Sequence, residues 1–224
     1  MPEATSNDHG VFEIIGTTRS MRRLKPDPVP DALIRKILEA AVCAPSGGNM
    51  QRWGFLVITD RKVKEEVAVY YRRAWEEHVR PGYQSGPPAP GSSPERFGRM
   101  LDAAQYLSDH LHEAPVWIIA CLTTGGSVWG SSLYWSGSSI YPAVQNMLLA
   151  ARALGLGATL TTLILRYADE VKSMLGLPPD VQPYALLPIG WPMGRFGPVR
   201  RSLDNVVYGD RWGEPYRGWI RPET

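Results

Sequence analysis

Apolar positions recur along this chain with two spacings, and each change of spacing marks a change of element. Val11-Phe12-Glu13-Ile14-Ile15 predicts a short helix ending at Gly16. Behind Pro30 and Asp31, residues Leu33, Ile34, Ile37, Leu38 and Ala41 fall on one helical face, and the helix they predict stops before Pro45. Trp53-Gly54-Phe55-Leu56-Val57-Ile58 is an unbroken apolar run bounded by Asp60 and predicts a strand. A charged helix follows over about residues 61–79. Phe97, Met100, Leu101, Ala104, Leu107 and Leu111 predict a further amphipathic helix, and residues 115–122 a strand. Residues 138–154 read as a helix carrying Ile140, Val144, Met147, Leu148 and Ala151, with Gln145 and Asn146 as polar exceptions. Residues 157–165 and 184–190 predict two more strands around a helix near residues 168–175. Helices alternating with short strands predict an α+β fold, a central sheet flanked by helices, and no internal repeat interrupts it.

Residues 1–10 form a polar tail, and residues 81–94, Pro-Gly-Tyr-Gln-Ser-Gly-Pro-Pro-Ala-Pro-Gly-Ser-Ser-Pro, are too rich in proline and glycine for regular structure. That stretch is short for a linker and is expected to be a mobile loop or lid, so residues 1–224 are read as one domain. The net charge of +2 is spread over both signs, which argues against a nucleic-acid or polybasic membrane surface. No segment has the length of a membrane span, and the N-terminus lacks the pattern of a secretory signal, so a cytoplasmic protein is expected. Cys43 and Cys121 each lie in an apolar element and read as buried free thiols.

The basic residues therefore need local explanations. Thr17-Thr18-Arg19-Ser20-Met21-Arg22-Arg23 sets guanidiniums around a hydroxyl, which suits a phosphate. Ala44-Pro45-Ser46-Gly47-Gly48-Asn49-Met50-Gln51-Arg52-Trp53 offers glycines that let backbone approach a flat ring, and amides that donate and accept along a heteroaromatic edge. Gly155-Leu156-Gly157-Ala158-Thr159-Leu160-Thr161-Thr162 follows a helix and enters a strand, the reverse of a dinucleotide fingerprint, and lacks its third glycine. His110 and His112 stand on different helix faces with no cysteine or carboxylate cluster beside them, so no metal is expected. No Gly-x-Ser-x-Gly nucleophile elbow occurs either.

In this order, Arg-Ser-x-Arg followed by Ala-Pro-Ser-Gly-Gly-Asn-x-Gln resembles the nitroreductase family of FMN-dependent flavoproteins, over roughly residues 12–213. The resemblance implies a mostly antiparallel central sheet and an intertwined homodimer with FMN at the subunit interface. It implies hydride transfer from NADPH or NADH through flavin N5 to a nitroaromatic or quinone-type acceptor, in ping-pong fashion. Arg19, Ser20, Met21 and Arg22 match the phosphate segment, with Arg22 also set to offset charge near N1 and O2 of the reduced ring. Thr18 stands where the family usually carries another Arg, which leaves Arg200, or Arg201 in its stead, to complete the phosphate site after the strand that ends near Gly190, a glycine also expected at the cofactor. Pro45, Ser46, Gly47, Asn49 and Gln51 match the segment that meets the flavin, often from the neighbouring subunit; Arg52 replaces a common proline. Thr161 and Thr162 match a threonine run whose donors face N5. The tail of residues 206–224 is expected to wrap the partner, and Trp129, Trp135 and Trp191 to line an aromatic pocket.

Two alternatives stand beside this reading. A deiodinase-like branch of the family clamps a halotyrosine with Glu-x-x-x-Tyr and a later Lys; Glu66 and Tyr70 have that spacing, no lysine lies between Lys64 and Lys172, and Arg96 or Arg99 would have to serve in its place. The other is a non-catalytic flavin-binding protein.

Overall fold

The computed structural model describes residues 10–86, 92–123, 133–198 and 206–214, together with Tyr216 and Gly218. Among these residues four strands, β1 (Trp53–Ile58), β2 (Val116–Thr123), β3 (Gly157–Ala158) and β4 (Val181–Gly190), form one sheet in the order β1-β2-β4-β3 with every pair antiparallel. The register runs from Trp53 opposite Leu122 to Ile58 opposite Trp117, and an irregularity at Ala120/Cys121 offsets β2 against β4.

Alternation along the strands builds two cores because successive side chains point to opposite faces. Val116, Ile118, Ala120 and Leu122 of β2 face the helices α2 (Asp31–Ala41) and α6 (Leu133–Ala153), whose Ile34, Ile37, Ile140, Val144 and Met147 complete that layer. Trp117, Ile119 and Cys121 face the other way, toward Val67 and Tyr71 of α3 (Arg61–Ala74), Leu107 of α5 (Pro94–His110) and Val171 of α7 (Ala168–Leu175). Asp60 caps α3 by accepting from the Val63 amide at 2.9 Å, and Ser93 caps α5 by accepting from the Arg96 amide at 3.3 Å. Lys64 is buried and its ammonium donates to the carbonyls of Ala114 and Pro115 at 2.8 and 3.1 Å, fastening α3 to the entry of β2. Burial lowers its pKa.

Four expectations change. The charged helix does not end before residue 81: a wide π turn, Trp75–Val79, leads into α4 (Arg80–Ser85), and Pro94 opens α5. Proline is tolerated in a first helical turn, where its missing N–H would have no partner, so Pro81 does not prevent α4. The strand expected over residues 157–165 is only β3, followed by an isolated bridge from Thr161 to Leu186 and a tight turn, Leu163–Tyr167. Helix α6 begins at Leu133, ahead of the expected start. Cys43 is exposed, because it follows the last turn of α2 on the solvent side, while Cys121 is buried as expected.

Candidate functional site

The arginine motif begins where α1 (Val11–Thr17) ends. Thr18, the residue in place of a further arginine, closes that helix: its amide and its hydroxyl both donate to the Ile14 carbonyl, at 2.9 and 2.6 Å. The chain then runs beside the sheet edge, with the Met21 amide donating to Ala158 O at 2.9 Å, the Lys25 amide to Trp191 O at 2.8 Å, and Leu24 bridged to Pro192. Met21 and Leu24 turn into the core, and Arg19, Ser20 and Arg22 are left facing outward. This close approach depends on Gly157, where a Cβ would lie 2.8 Å from Leu24 Cδ2 and 2.9 Å from Met21 Cβ.

Arg19, Ser20 and Arg22 open onto a cavity of about 860 Å³. Arg96 and Arg99 of α5 line the same cavity, as do Gln145 of α6 and Thr159. Among the described residues none of the four guanidiniums has a hydrogen bond or ion pair, and no Asp or Glu lines the cavity. Of the four, Arg19 and Arg22 stand on one short segment with the Ser20 hydroxyl and nearby backbone, a combination suited to a phosphate. Gln145 stood out in the sequence as a polar break in an apolar helix; Thr159 gave no separate signal, since its neighbours in the threonine run look the same.

The other expected site residues lie elsewhere. Pro45, Ser46, Gly47, Asn49 and Gln51 form a surface turn that does not line this cavity. Gly48, Asn49 and Gln51 have φ of 58°, 53° and 48°, a left-handed conformation that non-glycine residues adopt at some cost. The turn is held by the Gly47 amide donating to Ser139 Oγ at 3.0 Å, the Gln51 amide to Ser46 Oγ at 3.0 Å, and Gln51 Nε2 to Asn49 Oδ1 at 2.7 Å. The strain is thus supported by three bonds and presents an ordered, polar, exposed edge.

Thr161 is buried and fully engaged: its amide donates to Leu186 O at 3.0 Å and its hydroxyl to the Tyr71 hydroxyl at 3.3 Å. Burial raises the Tyr71 pKa, against the opposing effects of the Thr161 hydrogen bond and the Arg22 charge. Thr162 is exposed, with no partner for its amide or hydroxyl among the described residues. Gly190 is buried beside Pro115 and opposite Gly157 in the β3–β4 pair, where a Cβ would meet Pro115 Cδ at 2.8 Å; it does not line the cavity. Glu66 lies exposed on α3, and Tyr70 packs on Tyr167 with ring centroids 5.6 Å apart, so neither joins Arg96 at the cavity of the same chain. Trp191 donates to the Pro28 carbonyl at 3.1 Å. Arg200, Arg201, Trp129 and the side chain of Trp135 lie outside the described residues.

Among the described residues no group of three or more His, Cys, Asp or Glu stands where it could hold a metal ion, and no helix is long and apolar enough to cross a membrane.

Residues 15–191 match the model of the nitroreductase family. A protein of Methanothermobacter thermautotrophicus, provisionally named an NADH dehydrogenase/NAD(P)H nitroreductase, is 31% identical over 205 residues, covering 90% of this chain and 87% of that protein. Iodotyrosine deiodinase 1 of Rattus norvegicus is 28% identical over 208 residues, 88% of this chain and 68% of that protein. Among solved structures, a Desulfovibrio desulfuricans protein in complex with FMN, provisionally named a nitroreductase, superposes with a TM-score of 0.68 at 27% identity, over 94% of this chain and 99% of that one. With the fold, the ordered motifs and the match over most of its length in agreement, the chain belongs to the nitroreductase family.

Proposed function

We propose that the chain is an FMN-dependent NAD(P)H oxidoreductase that reduces nitroaromatic or quinone-type acceptors and works as a homodimer. The observation that carries this is the arginine-lined cavity at the end of α1, with Arg19, Ser20 and Arg22 unpaired among the described residues on a segment anchored to the sheet. FMN held here would supply two-electron redox chemistry between a reduced nicotinamide and a second substrate, with ping-pong kinetics expected. The protein's part is position and electrostatics. Arg19 and Arg22 with the Ser20 hydroxyl hold the phosphate, joined by Arg200 or Arg201. Thr162, with both donors free among the described residues, is favoured over Thr161 as the hydrogen-bond donor to N5. The strained turn of Ser46, Gly47, Asn49 and Gln51 does not line its own chain's cavity, which supports its offering a polar edge to the flavin of a partner. Trp212, 89% exposed, and Phe12, 86% exposed, are surfaces that a second subunit would cover.

The test is an absorbance spectrum of the purified protein followed by anaerobic addition of NADPH or NADH. Flavin bands that bleach and return on adding a nitroaromatic support the reading; a colourless chain that takes up no FMN overturns it, and bands that never bleach favour a non-catalytic flavin protein. Reductive dehalogenation is the second reading, favoured by relatives named iodotyrosine deiodinase. Iodide release from iodotyrosine by the reduced protein would move it to first place.

A further inference from the structure

The cavity holds more positive charge than one phosphate accounts for. A phosphate monoester carries about −1.5 to −2 near neutral pH, and Arg19 and Arg22 with Ser20 already match it from one segment. Arg96 and Arg99 come from a different element. With Met100 and Ala103 they occupy positions three, four and seven apart on α5, one helix face turned to the cavity. Glu95 and Asp102 stand four and three residues from Arg99 on that helix, but neither lines the cavity, and the Glu95 carboxylate, which feels the Arg99 charge, is engaged first by the Ser93 hydroxyl and its own helix-end amide. Two guanidiniums one turn apart repel each other unless an anion sits between them. The volume, about 860 Å³, leaves space for a second ligand beside the flavin.

We propose that Arg96 and Arg99 form a second anion site, which selects a ligand that pairs an aromatic ring with a phosphate monoester or a carboxylate. This rests on the flavin reading, because the first pair is assigned to the FMN phosphate. The shared chemistry is one anionic group on the ligand that exchanges at the flavin, carried either by the reductant, as the 2′-phosphate of NADPH, or by the acceptor, as a ring carboxylate. Neutral nitroaromatics and NADH then bind without this contact and more weakly.

The experiment compares matched probes by calorimetry at low ionic strength, where exposed charges are least screened. Adenosine 2′,5′-bisphosphate is set against adenosine 5′-monophosphate, and 4-nitrobenzoate against 4-nitrobenzamide, on the wild type, R96Q/R99Q and R96K/R99K. The wild type should prefer the anionic member of at least one pair by about tenfold or more, as expected for a charge-assisted contact. R96Q/R99Q should lose that preference, R96K/R99K should keep part of it, and both should bind FMN within about threefold of the wild type. A preference confined to the adenosine pair assigns the reductant, and one confined to the nitrobenzoate pair the acceptor. No preference in the wild type, or one that survives in R96Q/R99Q, overturns the proposal. So does a tenfold or greater loss of FMN affinity in R96Q/R99Q with an unchanged melting temperature, since it would place these arginines on the FMN phosphate. The titrations are repeated on flavin-free chain: a protein that takes up no FMN refutes the flavin reading, while the probe preference still decides whether Arg96 and Arg99 bind an anion.

Discussion

Replacing Gly157 by alanine tests whether backbone contact at the sheet edge sets the position of the phosphate-binding arginines. The added Cβ would stand 2.8 Å from Leu24 Cδ2, 2.9 Å from Met21 Cβ and 3.1 Å from Pro192 Cβ. The Leu24 methyl can rotate away. Met21 Cβ cannot, because it is fixed to a backbone whose amide is bonded to Ala158 O at 2.9 Å. The segment must therefore shift, and overpacking of this kind costs about 1–3 kcal/mol. Met21 stands between Ser20 and Arg22, so the shift reaches the phosphate ligands, and weakening one or two charge-assisted bonds by about 1–2 kcal/mol raises the FMN Kd about 5- to 30-fold. Urea melts of the flavin-free protein and a flavin fluorescence titration measure the two effects separately. Gly155→Ala is the control: its φ is 75° and nothing lies within 4 Å of the new Cβ, so it should cost about 1 kcal/mol of backbone strain and leave FMN affinity unchanged. If Gly157→Ala melts within about 0.5 kcal/mol of the wild type and binds FMN equally well, the close approach does not position the site.

Three further outcomes are expected. Arg19→Ala or Arg22→Ala should weaken FMN binding by about 2 kcal/mol, near 30-fold, with little change in the melt of the flavin-free chain, as read by fluorescence and calorimetry. Burial pushes the Cys121 thiol up to about 11, so alkylation of the native protein at pH 8 should modify exposed Cys43 and spare Cys121; because the folded state holds that proton more tightly, stability attributable to Cys121 is present below pH 9 and falls as pH rises toward 11, which denaturant melts across that window would check. Deleting residues 206–224 should give monomer or aggregate with loss of flavin by light scattering and absorbance, and an intact yellow dimer would refute the assignment of Trp212 to a subunit interface.

What could be read from the sequence was set by local chemistry. The one-sided face of α2 coincides with the structure because the helix buries a periodic set of its own side chains, Ile34, Ile37 and Ala41, and the apolar run of β1 coincides because Trp53 and Phe55 pack on one core and Leu56 and Ile58 on the other. α4 escaped the reading because proline and glycine argue against a helix interior, whereas Pro81 sits in a first turn continued from a π turn. β3 is shorter than its sequence suggests: Thr159, Thr161 and Thr162 have the residue preferences of a strand, but the edge beside Gly157 is taken by Met21, Leu24 and Pro192, so pairing lapses after Ala158 apart from the Thr161 bridge. The Arg19–Arg22 segment was legible as a phosphate site since its chemistry lies within a few residues. Glu66 and Tyr70 show the opposite limit. Their spacing puts them on one helix face, but it does not say where that face points; Tyr70 turns to Tyr167, and the next residue, Tyr71, reaches Thr161. Nor does spacing reveal that Arg96 and Arg99 share a cavity with Arg19 and Arg22, because that convergence is made by packing α5 over the second core, through Leu107 and Trp75 with Gln105. A cluster of like charges costs some repulsion in the free chain that an anionic ligand relieves, so the feature with most to say about function here is one that no stretch of the sequence contains by itself.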